Sequence, residues 1–325
     1  MGAAPIGLVF PGQGTQRHGM GEPWRSTGAW AIVEEISQCT GEDVEELLLR
    51  APNERLRRTD LAQLAVFTVS VLALREAERL GLTEGVVACA GHSLGEYTAL
   101  VAAGALSVTD AAVLVAARGR AMREAADLSR GTMAALVAAP YEDVARLVDG
   151  IRESGCPLWV ANVNAPGQVV VSGSEQGVEK ADAESRGIGA KLIRLPVGGA
   201  FHSPFMAPAA ERLRDVLTST PFAPRHLPVV ANVDAEPHTG DGGWVELSTR
   251  QLTHPVLWER SVRTLIGPLG CGRLLELGCG RTLTGMIRRI DRDVVALALE
   301  SPDGLAKAVA TGQTARAPGT ATAAR

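Results

Sequence analysis

The stretch VVACAGHSLGEYTALVAAG at 86–104 leaves a chain little choice of local structure. An apolar run of strand character meets Gly91-His92-Ser93-Leu94-Gly95, and a run of small helix-forming residues follows at once. This G-x-S-x-G pattern fits a tight strand-to-helix turn, in which glycines keep the turn uncrowded and the serine hydroxyl faces outward. The helix N-terminus behind it presents unpaired N–H groups, which favour the negative charge that develops when a serine attacks a carbonyl. Ser93 is therefore a candidate nucleophile. The plainer alternative is a glycine-rich turn whose serine merely caps a helix, so the rest of the chain has to decide.

Around this stretch, short apolar runs alternate with segments of helical period. Ile6–Phe10 reads as a buried strand that enters the loop Pro11-Gly-Gln-Gly-Thr-Gln16. Helices are expected near 29–37, 43–50 and 59–80, the last with Leu64, Phe67, Val71 and Leu74 on one face. Ser107-Val-Thr-Asp110 resembles a capping box. The helix it opens carries Ala111, Val115, Arg118 and Met122 on one side. Arg118 thus falls on an apolar stripe, where a guanidinium that cannot shed its charge needs an anion. That anion is either an internal carboxylate or one on a substrate.

Between 131 and 196 the order becomes strand, helix, strand, strand, helix, strand, which is a split βαβ module. The segment Gly198-Gly-Ala-Phe-His-Ser-Pro-Phe-Met206 then returns the chain to the larger unit, with Ser203 and Pro204 opening a helix. His202 precedes that helix in a glycine-rich loop and is expected to be partly exposed. It is the histidine best placed to act as a base for a serine, because His92 is held in the turn and the remaining four lie in loops or helix ends. A strand at 227–231, helices near 245–252 and 257–265, a strand at 273–277, a helix at 282–290 and a strand at 294–299 complete the pattern. Strands alternating with helices predict an α/β fold with a mainly parallel sheet covered on both faces.

A chain of 325 residues with 46% apolar and 21% charged residues can bury one large domain with a smaller companion. Its net charge of -4, from 32 basic and 36 acidic residues, includes no basic block of the kind that marks a nucleic-acid footprint. No apolar run reaches membrane-spanning length. Five dispersed cysteines fit neither a disulfide framework nor a zinc site. The N-terminus, Met1-Gly-Ala-Ala-Pro-Ile, has no basic region leading an apolar core, so cytoplasmic residence is expected.

Seven ordered blocks carry a resemblance: PGQGTQ, GHSLGEY, ARGRAM, NAPGQVVVSG, GAFHSPFM, QLTHPVLW and ELGCGRTLTGMI. Between about residues 5 and 300 the chain resembles the malonyl-CoA:acyl-carrier-protein transacylases, which include fatty-acid enzymes and polyketide acyltransferases. The resemblance implies an α/β-hydrolase-like large domain, residues 1–129 and 198–304, with an inserted ferredoxin-like small domain at 130–197. A tail at 305–325 is expected to be disordered. It implies Ser93 as nucleophile and His202 as base, with the main-chain carbonyl of Gln251 orienting the histidine. No acidic residue in the matched motifs supplies the usual third member. The N–H groups of Gln16 and Leu94 fall on the family's oxyanion hole, Arg118 on its carboxylate-binding arginine, and Gln13 and Met122 beside the substrate. Phe201 resembles the bulky position associated with malonyl selectivity. Cys279 departs from a proline common in the family, which implies a local change in loop stiffness.

The implied reaction is ping-pong malonyl transfer through a serine ester, from malonyl-CoA to the phosphopantetheine thiol of a carrier protein supplied in trans. It needs no cofactor and no metal, since the CoA thioester is a substrate. The expected partners are that carrier and malonyl-CoA, with no nucleic acid and no membrane, and the expected state is a monomer. Three alternatives stay open: a trans-acting polyketide acyltransferase for another extender unit, a carrier-protein thioester hydrolase, and a noncatalytic carrier-binding domain.

Overall fold

The computed structural model describes residues 4–311. Strand β1 (Ile6–Phe10) is five apolar residues, buried at every position, as an inner strand of a covered parallel sheet should be. After it come α1 (Ile32–Thr40), α2 (Val44–Leu49) and α3 (Thr59–Arg79), then β2 (Val86–Gly91), α4 (Gly95–Ala102) and α5 (Val108–Leu128). Ser107 caps α5, accepting from the Asp110 N–H at 3.0 Å. Helix α3 is buried on nearly all sides, which a single apolar stripe did not lead one to expect: Gln63, Thr68 and Ser70 lie inside with the leucines and valines.

Strand β3 (Thr132–Val137), α6 (Tyr141–Glu153), β4 (Leu158–Ala165), β5 (Gln168–Gly173), α7 (Glu175–Ser185) and β6 (Lys191–Arg194) form a second unit. Its antiparallel sheet has the order β4-β5-β3-β6. Strand β6 stops at Arg194. Leu195 makes one more bond, to the Met133 carbonyl, and Pro196 then has no N–H to continue the ladder. The chain returns through α8 (Ala207–Ser219), β7 (Val229–Val230), β8 (Pro237–His238), α9 (Trp244–Gln251), α10 (Trp258–Ile266), β9 (Arg273–Leu277), α11 (Thr282–Ile290), β10 (Val295–Leu299) and α12 (Pro302–Ala310).

The larger sheet runs β10-β9-β1-β2-β7-β8, parallel except where β8 turns back on β7. Strands β1 and β2 are thus central, and the loops leaving their carboxyl ends sit side by side, where ligands bind in open parallel sheets. A bridge between Asn162 and Val256 joins the smaller sheet to the region just after α9.

The tail expected to begin at 305 opens instead with the second half of α12. Ser301 accepts from the Gly304 N–H at 3.2 Å, Pro302 occupies the first turn, and Leu305 and Ala308 are buried. The cap-and-proline signature of Ser301-Pro302 outweighed the tail's polar composition there. The rest of that tail, from 312, lies outside the described residues. Among the described residues no helix is long and apolar enough to cross a membrane.

Candidate active site

The turn between β2 and α4 is held by close packing that only glycine permits. A Cβ on Gly91 would lie 1.9 Å from the Gly95 carbonyl carbon, and one on Gly95 would lie 2.1 Å from the Phe10 carbonyl oxygen. Ser93 between them has φ 53°, in the left-handed region that a non-glycine residue adopts at a cost of about 1–3 kcal/mol. Asn232, just past β7, holds the turn in this shape. Its Oδ1 accepts from the Ser93 N–H at 2.7 Å and its Nδ2 donates to the Gly91 carbonyl at 2.7 Å.

His202 also has a left-handed φ, 57°. The expectation of partial exposure is corrected here: the ring is buried, with 4% of the residue exposed. Its Nδ1 lies 2.8 Å from the Gln251 main-chain oxygen and its Nε2 lies 2.8 Å from Ser93 Oγ. A carbonyl only accepts, so Nδ1 carries the proton and Nε2 is left as an acceptor for the serine hydroxyl. Burial, followed by the positive charge of Arg118, pushes the imidazole from its ordinary 6.5 down to about 3. The ring is thereby kept neutral and able to take a proton.

Arg118 is 1% exposed. Its Nη1 donates to Gln63 Oε1 at 2.5 Å, and its Nη2 to Ser93 Oγ at 3.0 Å and to Gln251 Oε1 at 2.8 Å. The Tyr97 ring lies beneath the guanidinium, 5.6 Å from it. Every one of these partners is neutral, and Nε has no partner among the described residues. The internal carboxylate left open by the sequence is therefore not in contact with the guanidinium. The nearest acid in this network, Glu96, is one side chain away, accepting from Gln251 Nε2 at 2.8 Å and from the Asn232 N–H at 2.6 Å. Burial pushes the Glu96 carboxyl up to about 8, against the pull of the Asn232 N–H, Arg118 and Gln251.

Ser93, Leu94, His202, Arg118, Phe201, Met122, Gln13 and Gln16 all line one cleft of about 660 Å³ between the two sheets. Gln251 does not line it and is fully buried behind His202. The N–H groups of Gln16 and Leu94 donate to no protein atom among the described residues. The Gln16 side chain is spent on its own loop, accepting from the Gly14 N–H at 2.7 Å and donating to the Leu56 carbonyl at 3.1 Å. Gln13 Oε1 accepts from Thr59 Oγ1 at 2.7 Å, so this side chain is tied to the start of α3. Met122 Sδ accepts from Gln63 Nε2 at 3.3 Å. Phe201 is 7% exposed, and Gly199 beside it is needed, since a Cβ there would lie 2.9 Å from the ring.

Three residues of the network were missed from sequence: Gln63, Glu96 and Asn232. Gln63 stands four residues after Thr59, to which it donates at 3.0 Å. A polar pair at helical spacing beside an apolar face was the available signal. Glu96 was in plain view inside GHSLGEY, where an acid in a first helical turn suits the dipole without turning inward. His92 points away from Ser93, toward Asn164 Oδ1 at 2.8 Å and edge-on to Trp258.

The arrangement is a hydroxyl bonded to a neutral imidazole, two unpaired N–H groups nearby, and a buried cation 3.0 Å from the hydroxyl. Such an arrangement can in chemical terms carry an acyl group on the serine, and its cation can pair with a negative charge on the donor. The acyl transferase domain family matches residues 8–269. Over 309 residues the chain is 37% identical to a malonyl CoA-acyl carrier protein transacylase of Bacillus subtilis, covering 94% of this chain and 96% of that one. The crystal structure of such a transacylase from Clostridium perfringens superposes with a TM-score of 0.89 at 32% identity, over 95% of this chain and 98% of the other. A malonyl-transacylase solved in complex with a type II polyketide acyl-carrier protein also gives 0.89, at 33% identity, over 95% and 100%.

Proposed function

The chain belongs to the malonyl CoA-acyl carrier protein transacylase family, and on that premise we propose that it transfers the malonyl group of malonyl-CoA to the phosphopantetheine thiol of an acyl carrier protein, through a malonyl ester on Ser93. The observation that carries this reading is Arg118. A buried guanidinium with no carboxylate in contact among the described residues, 3.0 Å from the hydroxyl that would be acylated, suits an acyl group with a free carboxylate. Its Nε–H has no partner among the described residues, and the Nη2–H on Ser93 Oγ lies at the atom that would carry the acyl group. A neutral acyl group would leave the cation uncompensated, which disfavours acetyl-CoA.

In the first half-reaction the Ser93 oxygen attacks the thioester carbonyl as its proton passes to His202 Nε2. The alkoxide of the tetrahedral intermediate is held by the N–H groups of Gln16 and Leu94, one such donor being worth about 3–4 kcal/mol. The carbon–sulfur bond breaks and the CoA sulfur leaves with the proton from His202. In the second half the carrier thiol gives its proton to His202 and its sulfur attacks the ester. Ser93 then leaves and recovers the proton. Gln251 keeps the imidazole in the required tautomer through its carbonyl. Phe201 and Met122 narrow the wall of the cleft, which favours malonyl over branched extender units by about 1–3 kcal/mol per added carbon.

The order β4-β5-β3-β6 and the connectivity of that unit support a ferredoxin-like insert at 130–197. The serine turn at the centre of the parallel sheet supports an α/β-hydrolase-like frame at 1–129 and 198–304.

The test is transfer itself. With malonyl-CoA, a carrier bearing phosphopantetheine is expected to gain a malonyl group, and the same carrier lacking the arm to gain none. Methylmalonyl-CoA and acetyl-CoA are expected to be poorer donors. A carrier that stays bare while free malonate accumulates would move the reading to a hydrolase.

A pH dependence follows from the depressed imidazole. The base must be neutral to accept the Ser93 proton, so lowering its pKa moves the acid limb of acylation to lower pH. For kcat/KM with acetyl-CoA, whose acyl group carries no carboxyl to titrate, the limb is expected well below 6.5. Arg118→Met removes the neighbouring positive charge and is expected to move the limb upward. A wild-type limb at 6.5, or a downward move in the variant, would contradict this.

A further inference from the structure

We propose that Glu96 is a positioning residue for the Ser93–His202 pair, holding Gln251 and Asn232 together. This rests on the acyl-transfer reading above. The geometry is closed on every side. One carboxylate oxygen accepts from Gln251 Nε2 at 2.8 Å and the other from the Asn232 N–H at 2.6 Å, and Glu96 is 1% exposed. Gln251 sends its main-chain carbonyl to His202 Nδ1 and its side-chain carbonyl to Arg118 Nη2, while its Nε2 also donates to the Ser93 carbonyl at 3.0 Å. Asn232 holds the serine turn from the other side.

Remove the carboxylate and both holders lose a fixed acceptor. Gln251 is then free to swing its side-chain amide away from Arg118, and the carbonyl that sets the His202 tautomer loses an anchor. In Glu96→Gln the side-chain amide can accept from only one of the two donors and must turn an NH2 group toward the other. The same substitution adds no negative charge near Arg118 and leaves the Arg118 side chain in place, so the attraction for a malonyl carboxylate does not weaken. The outcome is a split between the parameters: turnover falls while the KM for malonyl-CoA does not rise. Loss of packing alone would lower the melting temperature without producing that split.

The experiment uses full-length protein and two readouts. Labelling of Ser93 by a fluorophosphonate reads the serine–histidine pair whatever the natural donor is, and steady-state malonyl transfer reads kcat and KM. Glu96→Gln is expected to label at least about tenfold more slowly, a partial loss of the general-base contribution, and to lose kcat by a similar factor with KM unchanged or lower. Gln251→Met keeps the main-chain carbonyl and cuts the same relay, so the double variant is expected to lose no more than the worse single one. Labelling of Glu96→Gln at the wild-type rate, a raised KM, or losses that multiply in the double variant would overturn the proposal. If Glu96→Gln does not fold, Gln251→Met decides alone: a tenfold loss supports the relay and a wild-type rate refutes it. Failed malonyl transfer by wild-type protein that still labels at Ser93 would instead fault the donor reading and leave this one standing.

Discussion

Ser93→Ala is expected to abolish covalent loading by malonyl-CoA and to lower transfer by on the order of 10⁴-fold or more, the scale on which removing a nucleophile acts in serine enzymes. The fold should survive, since alanine fits the same turn and the two structural hydrogen bonds there, from the Ser93 N–H to Asn232 and from Asn232 to the Gly91 carbonyl, use no serine side-chain atom. Intact mass of the variant after exposure to malonyl-CoA, beside its thermal melt, checks both halves of the expectation. A malonyl adduct on the alanine variant would place the nucleophile elsewhere.

The second large effect is expected at Arg118. Truncating one partner of a buried charge pair costs about 2–5 kcal/mol, roughly a 30-fold to several-thousand-fold loss. Arg118→Ala is therefore expected to cut malonyl loading by that range. Acetyl loading should fall less, because an acetyl group has no carboxylate to lose. Some loss is expected there too, since the guanidinium also donates to Ser93 Oγ, Gln251 and Gln63. The ratio of malonyl to acetyl loading is the quantity to measure. Equal losses for the two donors would remove the carboxylate role and leave Arg118 as a structural member of the network.

How much of this was legible in the chain depends on whether local or distant residues set each feature. The turn at Ser93 was legible because its geometry is dictated by two glycines four residues apart, and no other side chain fits at either. The smaller unit was legible because its strands and helices follow one another with clear punctuation. His202 was legible as a candidate base, while its burial was not. The loop looks open from its glycines, and what closes over the ring comes from Gln251, 49 residues on, and from Ser93, 109 residues back. Gln63 was hidden for a different reason. In a helix buried on nearly all sides, only its four-residue spacing from Thr59 marks an inward glutamine. Glu96 is the sharpest case: its partners are 136 and 155 residues away, and nothing within its own helix says that its carboxylate turns inward. The same holds for Arg118. Its place on an apolar stripe raised the question of its anion, and only the assembled site shows that no acid among the described residues touches it.

A malonyl ester on Ser93 that passes to a carrier thiol can be followed by intact-protein mass spectrometry after brief exposure to malonyl-CoA and then addition of a phosphopantetheinylated carrier protein. One malonyl adduct is expected on the enzyme, mapped to Ser93, that disappears as the carrier gains it. An enzyme that never gains the adduct while the carrier becomes malonylated, or an adduct lost to water while the carrier stays bare, would contradict this.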